Sequence, residues 1–303
     1  MRTSTKPTPA TLATYLQRIN RAIDHIVGHL DEPLRLRDLA QVALLSPFHF
    51  QKVFQAIVGV SPADFVRRRR LEKALVLMGQ PRARSLTAIA MACGFTSSSD
   101  FSRSFKRQYG VAPSTFDIQG WRKANRVELE ALVQSGHIDR LPPRHNPDAF
   151  RVSIRELPAR SVAYIRVDRP YQGHGVLQAV RDLVAWAEQN GHADGQWLGY
   201  QWDDPEITAL DECRYYVAVE ADAFTPRGAV GRYKFPPMVV AQVALRGDLD
   251  LELCALRWLY GSWLPRSNYF PDNQPCFEAW HGRPFAHGTD HFELTIQLPI
   301  CRM

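Results

Sequence analysis

Between residues 36 and 116 the apolar positions recur at helical spacing in short runs, whereas after residue 150 they mostly alternate every second residue. Phe50, Val53, Phe54 and Ile57 share one helical face, and Phe101, Phe105 and Tyr109 repeat that stripe. This predicts helices over Pro47–Val58 and Ser98–Tyr109, each preceded by a shorter one, at about Leu36–Ala43 and about Thr87–Cys93. Ser46 and Pro47 suit a helix start, because a serine oxygen can accept from a free backbone N–H and proline fits the first helical position. Gly59 and Gly110 suit the ends. Between the copies, Ser61, Pro62 and Asp64 open a connecting helix that Pro81 stops.

The two helix pairs are one pattern written twice. Adding 51 carries Ser46, Phe50, Lys52, Phe54, Gly59, Val60, Pro62 and Phe65 onto Ser97, Phe101, Arg103, Phe105, Gly110, Val111, Pro113 and Phe116. Upstream the offset is 50, and the one-residue slip falls in the turn. A short helix, a tight turn and a second helix with a basic exposed face make the helix-turn-helix plan, in which the second helix enters the DNA major groove. Two such readers on one chain would meet successive groove segments about 34 Å apart.

A fainter repeat follows at an offset of 77, which places Ser161 on Met238, Trp186 on Trp263, Tyr200 on Phe277 and Arg214 on His291. Each copy alternates like a strand, continues as an amphipathic helix (Gly175–Gln189, then Leu249–Trp263) and ends in two more strands. The fold expected is an all-α double helix-turn-helix domain followed by an α+β domain. The latter is built from a duplicated strand-helix-strand-strand unit with a pseudo-twofold cleft at the join. The boundaries expected are 12–122 for the first domain, 123–147 for a helical, proline-containing linker and 148–303 for the second.

Charge sharpens this division. Residues 1–123 carry 19 Lys plus Arg against 8 Asp plus Glu, and the remainder carries 18 against 23. A basic half joined to an acidic one suits a polyanion-binding module tied to something with another task. The five cysteines are scattered without metal-ligand spacing, and His281, His287 and His291 near Glu278 do not converge by spacing alone. No leader and no bilayer-length apolar run is seen, so a cytoplasmic protein without membrane association is expected, and no cofactor motif is present.

Residues 12–122 resemble the DNA-binding domain of the AraC/XylS family of bacterial transcription regulators. The resemblance rests on Ala90, Gly94, Phe95, Phe101, Ser102, Arg103, Phe105, Lys106, Gly110, Pro113 and Phe116. It implies double-stranded DNA as partner, with RNA polymerase as a second, and Phe48, Gln51 and Lys52 at positions that approach bases. His49 flanks them, and Ser98, Ser99, Ser102 and Arg103 form the second reader. Arginine can grip guanine through two bonds, while Lys52 and Arg103 could also touch phosphate alone. The run Arg67–Arg70 points all round its helix, so it is either a partial phosphate clamp or a solvated face paired with Asp64 and Glu72.

Residues from about 150 to 300 resemble GyrI-like effector-binding domains, on "GYQWDDP" from Gly199, "CRYYVAV" from Cys213, "WLPRSNY" from Trp263 and "CFEAW" from Cys276. Asn268 and Trp280 depart from the glycine and tyrosine usual there. Glu278 shares a strand face with Cys276 and Trp280, and a carboxylate beside a tryptophan suits a cationic, lipophilic ligand. The resemblance implies a glutamate at this position with that role, as in multidrug sensing. Tyr171, Tyr200, Gln201, Trp202 and Tyr233 are candidate walls for the effector. The reading is a DNA-binding regulator controlled by a small molecule, not an enzyme. The alternatives are a hydrolase using Glu278 as general base, or a second domain that docks a protein.

Overall fold

The computed structural model describes residues 9–80, 84–134, 150–288 and 291–302. Residues 135–147 of the expected linker, and the expected stop at Pro81, lie outside them. Two compact units result: a first that ends at Asn125 and takes in Pro226–Gly231, and a second made of Arg126–Thr225 and Arg232–Met303. Among the described residues no helix is long and apolar enough to cross a membrane.

The first unit is helical: α1 (Pro9–Gly28), α2 (Leu36–Val42), α3 (Pro47–Val58), α4 (Pro62–Met78), α5 (Leu86–Ala92) and α6 (Ser98–Tyr109), with α7 (Ile118–Gln134) beginning at its end. The long helices of each pair have the bounds expected from the sequence, because their ends are chemically marked. Ser46 accepts from the His49 N–H at 3.3 Å, and Ser97 from the Asp100 N–H at 3.1 Å. Gly59 and Gly110 then take left-handed backbone at φ 87° and 79°. Phe50, Phe54, Phe101 and Phe105 are fully buried, and their rings meet Phe65 and Phe116 edge-on, which explains why these aromatics recur. The turns match too: Leu45 N–H bonds to Ala40 O and Phe95 N–H to Ala90 O. The left-handed residue is Leu44 in one copy and Gly94 in the other. Thr96 is the additional residue of the second turn.

Among its described residues the second unit is a nine-stranded sheet carrying two helices. Its elements are β1 (Ser153–Leu157), β2 (Arg160–Asp168), α8 (Gly175–Asn190), β3 (Trp197–Tyr200), β4 (Arg214–Glu220), β5 (Val230–Phe235), β6 (Met238–Gly247), α9 (Leu249–Trp258), β7 (Tyr269–Pro271), β8 (Phe277–Trp280) and β9 (Phe292–Arg302). The order is β1-β6-β9-β8-β3-β4-β2-β5, with β7 on β9. α9 ends at Trp258 and passes into a π turn over Leu259–Trp263, where the sequence pattern reads as one continuous helix.

Register puts one residue row straight across the sheet: Ile165, Val217, Gly199, Glu278, Ile296 and Val243. The central pair is Gly199 opposite Glu278, and the pairings outward from it match on both sides. The shift from Gly199 to Glu278 and from Val217 to Ile296 is 79, and from Ile165 to Val243 it is 78, against 77 from the sequence alone. The short strands β3 and β8 hold too few alternating residues to set that register by pattern. On one face Val162, Tyr164, Leu198, Tyr200, Tyr216, Phe235, Val240 and Phe277 form a buried cluster. The other face carries Gly199 and Glu278; α8 packs on β2 and β4, and α9 on β6.

Candidate functional site

In the helical unit, Phe48, His49, Gln51 and Lys52 are all exposed on α3, and Ser99 and Arg103 on α6, while Ser98 and Ser102 are half-buried. Phe48 is 68% exposed, against 0% for Phe50 and Phe54 on the same helix, so the two faces are sharply divided. The exposed faces extend further than the sequence reading took them. Gln55 follows Gln51 by one turn, Arg107 follows Arg103 by one turn, and Lys106 stands beside it, all exposed. Spacing of i to i+4 was the signal available for Gln55 and Arg107.

The arginine run on α4 is used within the protein. Arg67 bonds Asp64 at 2.7 Å and Arg69 bonds Glu72 at 2.6 Å, the latter pair buried. Arg68 lies over the Phe65 ring, and Arg70 donates to the carbonyls of Leu30 and Glu32 at 2.9 and 2.6 Å. Gly94 makes room for that last contact, since a Cβ there would lie 2.9 Å from Arg70 Nη2.

In the second unit the chemistry gathers at the middle of the sheet. Glu278 sits in an otherwise apolar row, accepts a short hydrogen bond from the Tyr215 hydroxyl, and is also bonded by the Trp280 side chain. Gly199, opposite in the ladder, leaves the space for this. A Cβ at 199 would lie 2.8 Å from Tyr215 Cζ and closer still to its hydroxyl. Burial pushes the Glu278 carboxyl up to about 7, with the bonds from Tyr215 and Trp280 opposing that rise. Glu252 on α9 faces the same place. Burial first, and then the charge of Glu278, holds its carboxyl well above the usual carboxylate range. Tyr215 and Cys276 are raised for the same two reasons. Glu278 and Cys276 nonetheless keep partial access to solvent, whereas Tyr215 and Trp280 are buried.

Of the candidate walls, Tyr171 and Gln201 bond each other at 3.2 Å, and burial first, with lesser contributions that include the charge of Glu278, raises the Tyr171 hydroxyl. Asp203 holds the segment after Gln201 by gripping Arg214 with both oxygens, at 3.0 Å to Nε and 2.7 Å to Nη2. Tyr200, Trp202 and Tyr233 belong instead to the aromatic cluster on the other face, with Phe235 and Phe277. Alternation explains Tyr200, one residue from Gly199 and therefore turned away. Tyr215, Gly199 and Glu252 escaped the sequence reading. A signal existed for Glu252: it shares a helical stripe with Ala255 and Leu259, both fully buried.

Residues 39–118 match the family described as a helix-turn-helix domain, and residues 150–300 match the GyrI-like small molecule binding domain. The probable transcriptional regulator LumQ of Photobacterium leiognathi is 33% identical over 105 residues, 34% of this chain and 42% of that protein. The transcriptional regulator Rob of Salmonella typhimurium is 36% identical over 89 residues, 29% of this chain and 30% of that protein. The chain thus spans less than half the length of the curated relatives it matches. A solved AraC-type transcriptional regulator from Chromobacterium violaceum aligns at 26% identity with a TM-score of 0.30, over 32% of this chain and 86% of that one.

Proposed function

We propose, from the premise that this chain belongs to the AraC-type helix-turn-helix regulators and carries a GyrI-like small molecule binding domain, that it regulates transcription under control of a lipophilic cation bound at Glu278. The observation that carries the effector's character is a carboxylate in an apolar sheet row, partly open to solvent and bonded by Tyr215 and Trp280. An anion or neutral polar molecule gains little from such surroundings, whereas a cation with aromatic or alkyl groups gains charge, cation–π contact and burial together.

On the DNA side, Phe48, His49, Gln51 and Lys52 of α3 form one reader and Ser98, Ser99, Ser102 and Arg103 of α6 the other, on 12–122. Residues 123–147 link them to the sensing domain, 148–303. Exposed residues of the two readers differ, so the site read is asymmetric. The matching registers on either side of the Gly199–Glu278 pair favour a sensing domain built from two copies of one unit, with the effector at the join. RNA polymerase is the protein partner and the cytoplasm the compartment in this reading.

Catalysis is the rival, since a carboxyl raised to about 7 can serve as a general base. The sensing reading is tested with tetraphenylphosphonium as probe. Saturable binding by the full chain, lost in Glu278→Gln, with the probe recovered unchanged, is expected. Equal binding by Glu278→Gln, or chemical turnover of a bound cationic ester, overturns it.

A further inference from the structure

Glu252 stands on α9 in the stripe it shares with Ala255 and Leu259, the face by which a helix on a sheet ordinarily presents only apolar side chains. It is 5% exposed, and among the described residues its carboxyl has no hydrogen bond and no ion pair. Its oxygens are nevertheless not sealed, since the buried polar atoms that lack both a partner and solvent contact do not include them. A water-sized atom therefore reaches this carboxyl. A buried acid without a partner is costly, and native interiors supply one nearly everywhere. The charge of Glu278 acts on Glu252, and the charges of both act on Tyr215 and Cys276, so the four residues lie within electrostatic reach of one another.

Two buried carboxyls this near, with no cation beside them, repel when both ionise. A single positive charge at Glu278 leaves Glu252 without a partner, whereas a second positive charge supplies one. Among the described residues no three His, Cys, Asp or Glu side chains are placed to hold a metal ion, so an inorganic dication finds too few ligands. We propose that Glu252 is a second cation-holding residue of the effector site, and that the effector is an organic dication with one ammonium at Glu278 and the other at Glu252. This rests on the sensing reading above and narrows its ligand class. Tyr215 and Trp280, which bond Glu278, suit an aromatic spacer between the two charges.

Titration calorimetry on the full chain with p-xylylenediamine and 4-methylbenzylamine tests this, because the two share a ring and differ by one ammonium. At pH 8, where Glu278 is ionised, the diamine is expected to bind at least tenfold tighter than the monoamine and to compete with tetraphenylphosphonium. Glu252→Gln keeps the shape of the side chain and loses its charge, and it should bring the two affinities to within about twofold, the symmetry advantage of two identical ends. Should that variant fold poorly, Glu252→Met gives the same reading with an apolar side chain suited to the buried stripe. The comparison in the parent needs no variant: equal affinity for the two amines overturns the proposal. So does a diamine preference that survives in Glu252→Gln or Glu252→Met, or a diamine that binds without displacing tetraphenylphosphonium. Glu278→Gln separates the two levels of the reading. Loss of the monoamine there keeps the sensing site standing whatever the diamine does, whereas undiminished monoamine binding overturns both.

Discussion

The Tyr215 hydroxyl reaches Glu278 across Gly199, at a position where no side-chain carbon fits. The glycine is there for space and not for turn geometry, since its backbone is ordinary strand. Gly199→Ala must push Tyr215 away, so lipophilic-cation affinity falls at least tenfold. Overpacking of this kind also costs about 1–3 kcal/mol of stability, to be read from urea unfolding and titration of the same variant.

The raised Glu278 carboxyl has two consequences of opposite sign. Its folded value of about 7 lies above the ordinary 4.5, so the folded state holds a proton that the unfolded chain has released. Stability therefore falls as pH rises from about 4.5 to about 7. Glu278→Gln removes that fall and should make the protein more stable than the parent at pH 8, by roughly 3 kcal/mol given about 1.4 kcal/mol per pKa unit between 4.5 and about 7. Cation affinity moves the other way. It rises with pH up to about 7, then levels off, because only ionised Glu278 attracts the ligand. Unfolding curves and titrations at pH 5, 6, 7 and 8 check both limbs.

Leu44 holds a left-handed backbone, φ 54°, that its counterpart Gly94 takes without steric cost. Its side chain is 63% exposed, so little burial is lost on its removal. Leu44→Gly is expected to stabilise the protein by about 0.5–1 kcal/mol, the left-handed penalty less the added freedom of the unfolded chain. A lower melting temperature would contradict this.

Arg69 and Arg103 are both basic helix residues, and their removal separates structure from recognition. Glu72→Ala removes the 2.6 Å carboxylate partner of the buried Arg69 and should cost about 3–5 kcal/mol. Arg103→Ala, exposed and without such a partner among the described residues, should leave stability within about 0.5 kcal/mol. It should cost about 1–3 kcal/mol of DNA affinity on a duplex selected from a random pool, and relax specificity at one base pair. A loss equal on selected and scrambled duplexes would reduce Arg103 to a phosphate contact.

The helices were legible wherever a terminus is written in chemistry: Ser46, Pro47 and Gly59 bound α3, and Gly110 ends α6, at the residues expected. Burial of Phe50 and Phe105 followed from spacing alone. The sheet was legible by face but not by register. Glu278 and Trp280 share a face as alternation requires, yet the pairing of Glu278 with Gly199 and Ile296 is set between strands distant in sequence. The same limit hid Tyr215, which reaches Glu278 from a strand 63 residues away. Arg67–Arg70 looked like a surface feature because charge in a sequence does not reveal the carbonyls of Leu30 and Glu32 that Arg70 meets.

The central claim is that occupancy at Glu278 alters DNA reading by α3 and α6, and such coupling must be reciprocal. The direct measurement is the affinity of the full chain for its selected duplex with and without saturating tetraphenylphosphonium. A shift of at least about fivefold in the parent, absent in Glu278→Gln, is the predicted result. Unchanged DNA affinity while calorimetry shows the cation bound would contradict the account.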